Sequence, residues 1–296
     1  MITSADRLEA EWTRAVAPKR GDIHGELLED AAAFLGISLQ DARERARDAG
    51  ERFRAEWQTA APDPSDAQAL TRFYNQSDTE LFELINWHAS DPIHYRTIVL
   101  RDFAASFPGR ELIDYGSGIG NDALVFAQAG FHVTLADISD PLLAFASWRC
   151  RSRGLDVDTI DLKVAKPPHR AFDAAICFDV LEHIPKPLTV VRQIRASLKE
   201  GGLFVLHAPF GLDAEHPMHV VDRDVVTPRM RSLGFEPVSC EFPSSVRAPQ
   251  IYRKRDLPAL DRLAYFVYDG YLDGSVGSRL AAMYRAGRSM MRPAGR

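Results

Sequence analysis

From Glu111 onward, short apolar runs closed by a polar residue alternate with stretches whose apolar positions recur at helical spacing. Leu112 and Ile113 follow the turn residues Pro108 and Gly109 and end at Asp114. Residues 131–136 end at Asp137, 155–160 at Asp161, 172–178 at Asp179, and 203–207 close on His207. Apolar runs of this length bounded by turn residues predict buried strands. Between them, residues 122–129 (stopped by Gly130), 140–153 (opened by Asp140-Pro141, stopped by Gly154), 188–198 and 222–233 predict helices. Strand and helix in alternation predict an α/β class with a doubly wound, mostly parallel sheet covered on both faces.

Ahead of this unit the pattern is helical. Leu27, Leu28, Ala31 and Leu35 share a face ended by Gly36, and Ser38 with Asp41 predicts a cap for the next helix, whose thin stripe is Ala42, Ala46, Ala49, Phe53 and Trp57. That stripe suits packing on a neighbour, a dimer contact or a lid. Pro62 and Pro64 mark a linker over residues 59–66. Ser77 and Glu80 predict a capping box before a face of Leu81, Leu84, Ile85 and His88, and Pro92 opens a further helix through Phe107. The chain thus divides into a helical extension (1–66), a central domain (67–255) whose first part, 67–107, is a helical lid, and a tail (256–296) with Tyr265, Phe266, Tyr268, Tyr271 and a basic helix over 279–292.

Composition narrows the partners. Hydrophobic residues at 46% and charged residues at 26% are ordinary for a globular chain of 296 residues. A net charge of −5 disfavours a nucleic-acid surface that works by bulk charge and points to a small-molecule partner. Cys150, Cys177 and Cys240 form no Cys-x-x-Cys pair, which fits a reducing cytoplasm, and no apolar run reaches membrane-spanning length.

The stretch Asp114-Tyr-Gly116-Ser117-Gly118-Ile-Gly120-Asn121 is a glycine loop opening a helix. A dinucleotide fingerprint, Gly-x-Gly-x-x-Gly, needs its third glycine where Asn121 stands. The carboxylate of Asp114 would repel a pyrophosphate and suits a cationic ligand. At this point the chain resembles the class I S-adenosylmethionine (SAM)-dependent methyltransferases. Phe172-Asp173 and Leu181-Glu182-His183-Ile184-Pro185 match that family's fourth motif, so the resemblance covers about residues 73–242.

The resemblance implies a seven-stranded Rossmann-like sheet, its terminal hairpin supplied by 235–242 and 247–255, and SAM as cofactor. It implies that Asp114, Gly116, Ser117, Gly118 and Gly120 hold the methionine part and that Asp137, with Ile138 beside it, takes the ribose hydroxyls. Asp161 (with Asp158 as a rival) and Leu162 would hold the adenine, and Phe178 and Asp179 would lie near the sulfonium. The helices before the loop would wall the acceptor pocket, making Phe73, Tyr74, Trp87, His88 and Tyr95 candidates, together with Phe210 beyond the fifth strand.

Histidine titrates near neutral pH and can take a proton from a hydroxyl or amine. His219, His207 and His183 are the catalytic candidates, with His219 preferred as general base. His183 and Glu182 also have a structural reading, the first packed between strand ends and the second capping the next turn. Asp179, Glu182 and His183 would share one face of a helical turn, a possible divalent-ion set completed by a distant histidine, but no metal is assigned. The resulting expectation is methyl transfer to a hydroxyl or amine of a small metabolite or natural-product intermediate. RNA or protein methylation, and a SAM-binding regulator or partner subunit without catalysis, are the alternatives.

Overall fold

The computed structural model of the chain describes residues 4–212, 215–244 and 247–256, together with residues 258, 264 and 267. The aromatic tail and the basic helix expected over 279–292 lie outside the described residues. Five parallel strands carry the fold: β1 (Glu111–Tyr115), β2 (His132–Asp137), β3 (Val157–Asp161), β4 (Phe172–Phe178) and β5 (Leu198–His207). Antiparallel β6 (Phe235–Pro237) and β7 (Gln250–Lys254) complete a seven-stranded sheet of order β3-β2-β1-β4-β5-β7-β6. This is the doubly wound sheet that the strand-helix alternation predicts, in the seven-stranded Rossmann-like form that the resemblance implies.

Side chains alternate across the sheet with period two, as a strand buried on both faces requires. Leu112, Val133, Ala174, Ile176 and Val205 enter one core, and Ile113, Ala175, Cys177, Phe204 and Leu206 the other. The first core is closed by α7 (Arg96–Ala105), α8 (Asn121–Gln128) and α9 (Asp140–Ser152), the second by α10 (Pro187–Ser197).

The N-terminal helices α1 (Ser4–Val16), α2 (Ile23–Leu35), α3 (Leu39–Ala46) and α4 (Ala49–Ala60) pack on the rest of the chain with α5 (Ala67–Gln76) and α6 (Glu80–Ser90). Leu27, Leu28 and Ala31 of α2 share one buried cluster with Phe82 and Ile85 of α6 and Phe145 of α9, while Trp12 of α1 packs with Ile98 and Val125. Gly36 ends α2 at φ 66°, and Ser38 and Asp41 cap α3 reciprocally. All five stripe residues from Ala42 to Trp57 are buried, although the helix breaks at Arg47-Asp48, where Asp48 has φ 54°. Among the described residues, no helix is long and apolar enough to cross a membrane.

Three local expectations are corrected. Residues 222–233 form no α-helix: Asp224 accepts from the Val226 and Thr227 amides at 2.8 and 2.9 Å, and only a single turn, Thr227–Arg229, follows. Those bonds follow the pattern of an N-cap, here at the entry to that one turn. Ser77 accepts the Glu80 amide at 3.1 Å, but the capping box is not reciprocated, because the Glu80 carboxylate turns to the Ser139 hydroxyl at 3.5 Å. The face of α6 centres on Phe82 and Ile85, with Leu81 and Leu84 only half-buried.

Candidate active site

The carboxyl ends of β1, β2, β4 and β5 converge on one edge, where ligands bind in open α/β sheets. The glycine loop follows β1. Gly116, at φ 78°, could carry no Cβ because Val180 fills that space, so the β1 and β4 ends meet through a glycine. Gly116 N–H donates to Ala136 O at 2.7 Å, and Gly118 N–H to Asp137 Oδ2 at 2.9 Å. Asp137 Oδ1 accepts the Ser139 amide at 2.9 Å, which fixes the carboxylate at the end of β2. Asp161 lies opposite Asp137 in register and is tied to Lys163 Nζ at 2.9 Å; Leu162 N–H donates to Asp137 O at 2.9 Å. Asp158 is exposed. Ile138 presents its carbonyl to Asn75 Nδ2 at 2.8 Å.

Around the loop lie buried polar atoms with no partner: Asp114 Oδ2, Ser117 Oγ, Asn121 Nδ2, and Nε and Nη1 of Arg96. Unpaired buried groups cost free energy, so such a constellation fits a polar ligand. Burial raises the Asp114 pKa well above the ordinary range, and the charges of Asp122 and Asp137 raise it further. An ammonium and a sulfonium would relieve that crowding of acids, whereas a pyrophosphate would worsen it. Arg96 would meet a carboxylate. The sequence reading passed over Arg96 because helical spacing ranks apolar positions; its signal was a lone cation entering the helix that abuts the glycine loop.

At the β4–β5 edge, Asp179 adopts φ 55° and its amide donates to His207 O at 2.8 Å. Its Oδ1 accepts from His207 Nδ1 at 2.6 Å, and its Oδ2 from Arg96 Nη2 at 2.8 Å. The Arg96 guanidinium lies 4.1 Å from the Phe178 ring centroid. Burial pushes the Asp179 carboxyl up, but the His207 hydrogen bond and the Arg96 charge outweigh it and hold it down to about 2. Asp179 therefore does not turn toward Glu182 and His183: its left-handed backbone breaks the helical turn that would put the three on one face.

Glu182 is fully buried, and neither carboxylate oxygen has a hydrogen-bond partner, so it does not cap the next turn; Oε1 lies 4.0 Å from His183 Nε2. Burial and then the Asp179 charge raise its pKa to about 8. Its main-chain carbonyl accepts from Val220 and Val221 at 2.8 and 3.2 Å, fastening the 216–221 loop over the site. That loop brings His219, and Glu182, His183 and His219 offer ligand atoms all within 4.8 Å of one another. His183 Nδ1 lies 3.1 Å from Met218 O and His219 Nδ1 3.1 Å from Gly211 O. A carbonyl only accepts, so both imidazoles carry hydrogen on Nδ1 and keep the Nε2 lone pair. One carboxylate and two such nitrogens fit a divalent transition metal.

Of the acceptor-pocket candidates, Tyr74 stands beside this set, its hydroxyl 3.3 Å from His183 Nδ1, and Phe210 packs on the α10-side core. Phe73 is buried between Trp57 and Tyr74, with Met218 in the same cluster. Trp87 and His88 belong to a separate ring cluster, in which His88 stacks on His94 at 4.0 Å and Trp87 meets His94 edge-on at 4.7 Å. Tyr95 packs beside Trp12.

Ubiquinone biosynthesis O-methyltransferase of Xanthomonas campestris pv. campestris (strain B100) is 28% identical over 152 residues, 47% of this chain and 63% of that protein. The protein of the same name from Stutzerimonas stutzeri (strain A1501) is 32% identical over 119 residues, 39% and 50% of the two chains. The chain thus spans less than two thirds of either relative's length. Burkholderia thailandensis 1,6-didemethyltoxoflavin-N1-methyltransferase, solved with 1,6-didemethyltoxoflavin and S-adenosylhomocysteine bound, shares 21% identity, 58% coverage of this chain and 81% of that one, and a TM-score of 0.46. A family model described as a methyltransferase domain matches residues 86–257, more than half of the chain. The chain therefore belongs to the methyltransferase-domain family, as a class I SAM-dependent methyltransferase.

Proposed function

We propose that the protein transfers the SAM methyl group to a hydroxyl of a small-molecule acceptor, an amine being the variant of the same reading. The observation that carries this is the cradle of unpartnered buried polar atoms around the glycine loop: Asp114, Ser117, Asn121 and Arg96. Asp114 would take the cofactor's ammonium and Arg96 its carboxylate. The two oxygens of Asp137 each keep a lone pair for the ribose diol, and Asp161 with Leu162 would meet the adenine. Methyl transfer is an in-line displacement, so much of its rate comes from holding the acceptor atom behind the methyl carbon in a closed pocket. Tyr74, Phe210 and the 216–221 loop form that pocket's wall. The hydroxyl is favoured over the amine by the O-methyltransferase name of both relatives.

A second reading concerns how the acceptor is held. The buried Glu182 carboxylate, which accepts no hydrogen bond, and the two oriented imidazoles favour a divalent ion at the pocket wall. Such an ion would supply Lewis-acid polarisation of an acceptor oxygen.

Calorimetric titration with S-adenosylhomocysteine tests the cofactor assignment: micromolar binding lost in Asp137→Ala supports it, and absence of binding by the folded wild type refutes it. Transfer of labelled methyl from SAM to a panel of phenols, catechols and primary amines then separates O- from N-methylation. Label appearing only in RNA or protein would support a macromolecular acceptor instead, and binding without any transfer a non-catalytic role.

A further inference from the structure

We propose that Asp179 fixes the tautomer of His207 and that His207 Nε2 accepts the proton released during methyl transfer. The inference rests on the methyltransferase reading above. Asp179, held at about 2, is a carboxylate at neutral pH and can only accept. The 2.6 Å contact to His207 Nδ1 therefore places hydrogen on Nδ1 and leaves the Nε2 lone pair on the other side of the ring. The imidazole closes β5 at the sheet's ligand edge with 10% of its side chain exposed. The opposite Asp179 oxygen is held by Arg96, itself 1% exposed, so the carboxylate cannot swing away without leaving a buried cation unpaired.

His207 Nδ1 is hydrogen-bonded to the Asp179 carboxylate, so a full negative charge stands beside the ring that takes up the proton. Nδ1 of His183 and of His219 each lie against a main-chain carbonyl, which orients the ring.

In the reaction, a lone pair of the acceptor oxygen forms the bond to the methyl carbon. The carbon–sulfur bond breaks with its pair passing to sulfur, giving S-adenosylhomocysteine. The hydroxyl proton moves to His207 Nε2 and then to solvent. Asp179 stays ionised throughout and acts as a positioning residue.

Asp179→Asn tests the arrangement. Arg96 offers only donors, so the amide oxygen must face it, and the amide nitrogen then donates to His207 Nδ1. This forces hydrogen onto Nε2, the tautomer that cannot act as a base. Imidazole nitrogen NMR of the protein bound to S-adenosylhomocysteine is expected to show Nδ1–H and unprotonated Nε2 in the wild type, reversed in Asp179→Asn. With SAM and catechol as the probe acceptor, Asp179→Asn and His207→Gln should each lower kcat about 10²–10⁴-fold without summing in the double variant, and activity should partly return at alkaline pH as catechol ionises. His207→Gln should keep S-adenosylhomocysteine affinity within about threefold of the wild type, since general-base catalysis acts on the step after binding. Nε2–H in the wild type, an unchanged tautomer in Asp179→Asn, or a His207→Gln variant as fast as the wild type would overturn the proposal. Loss of S-adenosylhomocysteine binding in the wild type would instead refute the methyltransferase reading, with the tautomer still measurable.

Discussion

Arg149 Nη1 donates to Asn121 Oδ1 at 2.7 Å, both side chains buried. Asn121 occupies the position that would be glycine in a dinucleotide fingerprint, and here it is an acceptor for an arginine of α9. The same Nη1 donates to Ile119 O at 2.6 Å, while Arg149 Nε reaches Asp30 at 3.0 Å and Arg153 reaches Asp30 and Glu26 at 2.7 and 3.1 Å. The glycine loop is thus moored, through two arginines, to α2 in the N-terminal extension.

Asp30→Ala should therefore be costly at a distance from the cofactor. It strands the fully buried Arg149 guanidinium, and removing one partner of a buried pair costs about 3–5 kcal/mol. Urea denaturation should show that loss, and calorimetry should show weaker S-adenosylhomocysteine binding because Ile119 loses its anchor. A stability change below about 1 kcal/mol would mean that solvent reaches the cluster.

Gly116→Ala combines a left-handed φ of 78° with overlap of the new Cβ onto Val180. The backbone strain alone is worth about 1–2 kcal/mol, and the overlap pushes the β1 and β4 ends apart. Cofactor affinity should drop at least about 100-fold, equivalent to the roughly 2.7 kcal/mol that the two effects together exceed. Retained affinity would show that the loop can reshape.

The stacked pair His88 and His94 should make the fold acid-sensitive. Burial, then the Arg149 and Arg96 charges, lower His88 from 6.5 to about 3, and burial, then the His88 charge, hold His94 well below its ordinary value. The native state holds both rings neutral while the unfolded chain takes up protons, so this contribution to stability is intact above about pH 6.5 and erodes as pH falls toward 3. Replacing both rings with phenylalanine should flatten the urea midpoint across that window. An unchanged pH profile in the double variant would assign the acid sensitivity elsewhere.

Glu182→Gln separates the metal reading from a structural one. Neither carboxylate oxygen has a hydrogen-bond partner, and His183 Nε2 stands 4.0 Å away, so the isosteric amide removes no hydrogen bond and should leave the metal-free fold intact within about 1 kcal/mol. If the site holds Zn²⁺, the wild type should bind one ion and gain thermal stability, with affinity falling at least about 100-fold in the variant because a charged ligand is lost. Equal Zn²⁺ affinity in the two proteins would exclude this set.

The sheet was legible because its signals are local: an apolar run, an acid at its end, a glycine after each helix. The Asp137 and Asp114 positions followed from the same punctuation. Long-range pairings were not legible. The link from Asp30 to Arg149 spans 119 residues, and nothing near Arg149 marks it as buried rather than solvated. The Asp179–His207 pair was within reach, since both residues close neighbouring parallel strands, and Phe178 pairs with His207 in register. Helical spacing misled at Asp179, where one left-handed residue redirects the side chain, and over 222–233, where only the turn Thr227–Arg229 forms.

The moorings of the helical layer and of the 216–221 loop lie on different halves of the sheet. α2 is tied to α9 on the β2–β3 side, whereas the loop is stitched by main-chain hydrogen bonds to Glu182 beyond β4. Among the described residues the two meet at an apolar seam, a cluster that holds Phe53, Trp57 and Phe73 with Met218. Such a seam can drift in sequence without disturbing either mooring. New acceptor shapes would then arise by repacking a few apolar side chains, while the cofactor cradle stays under an independent and stricter selection.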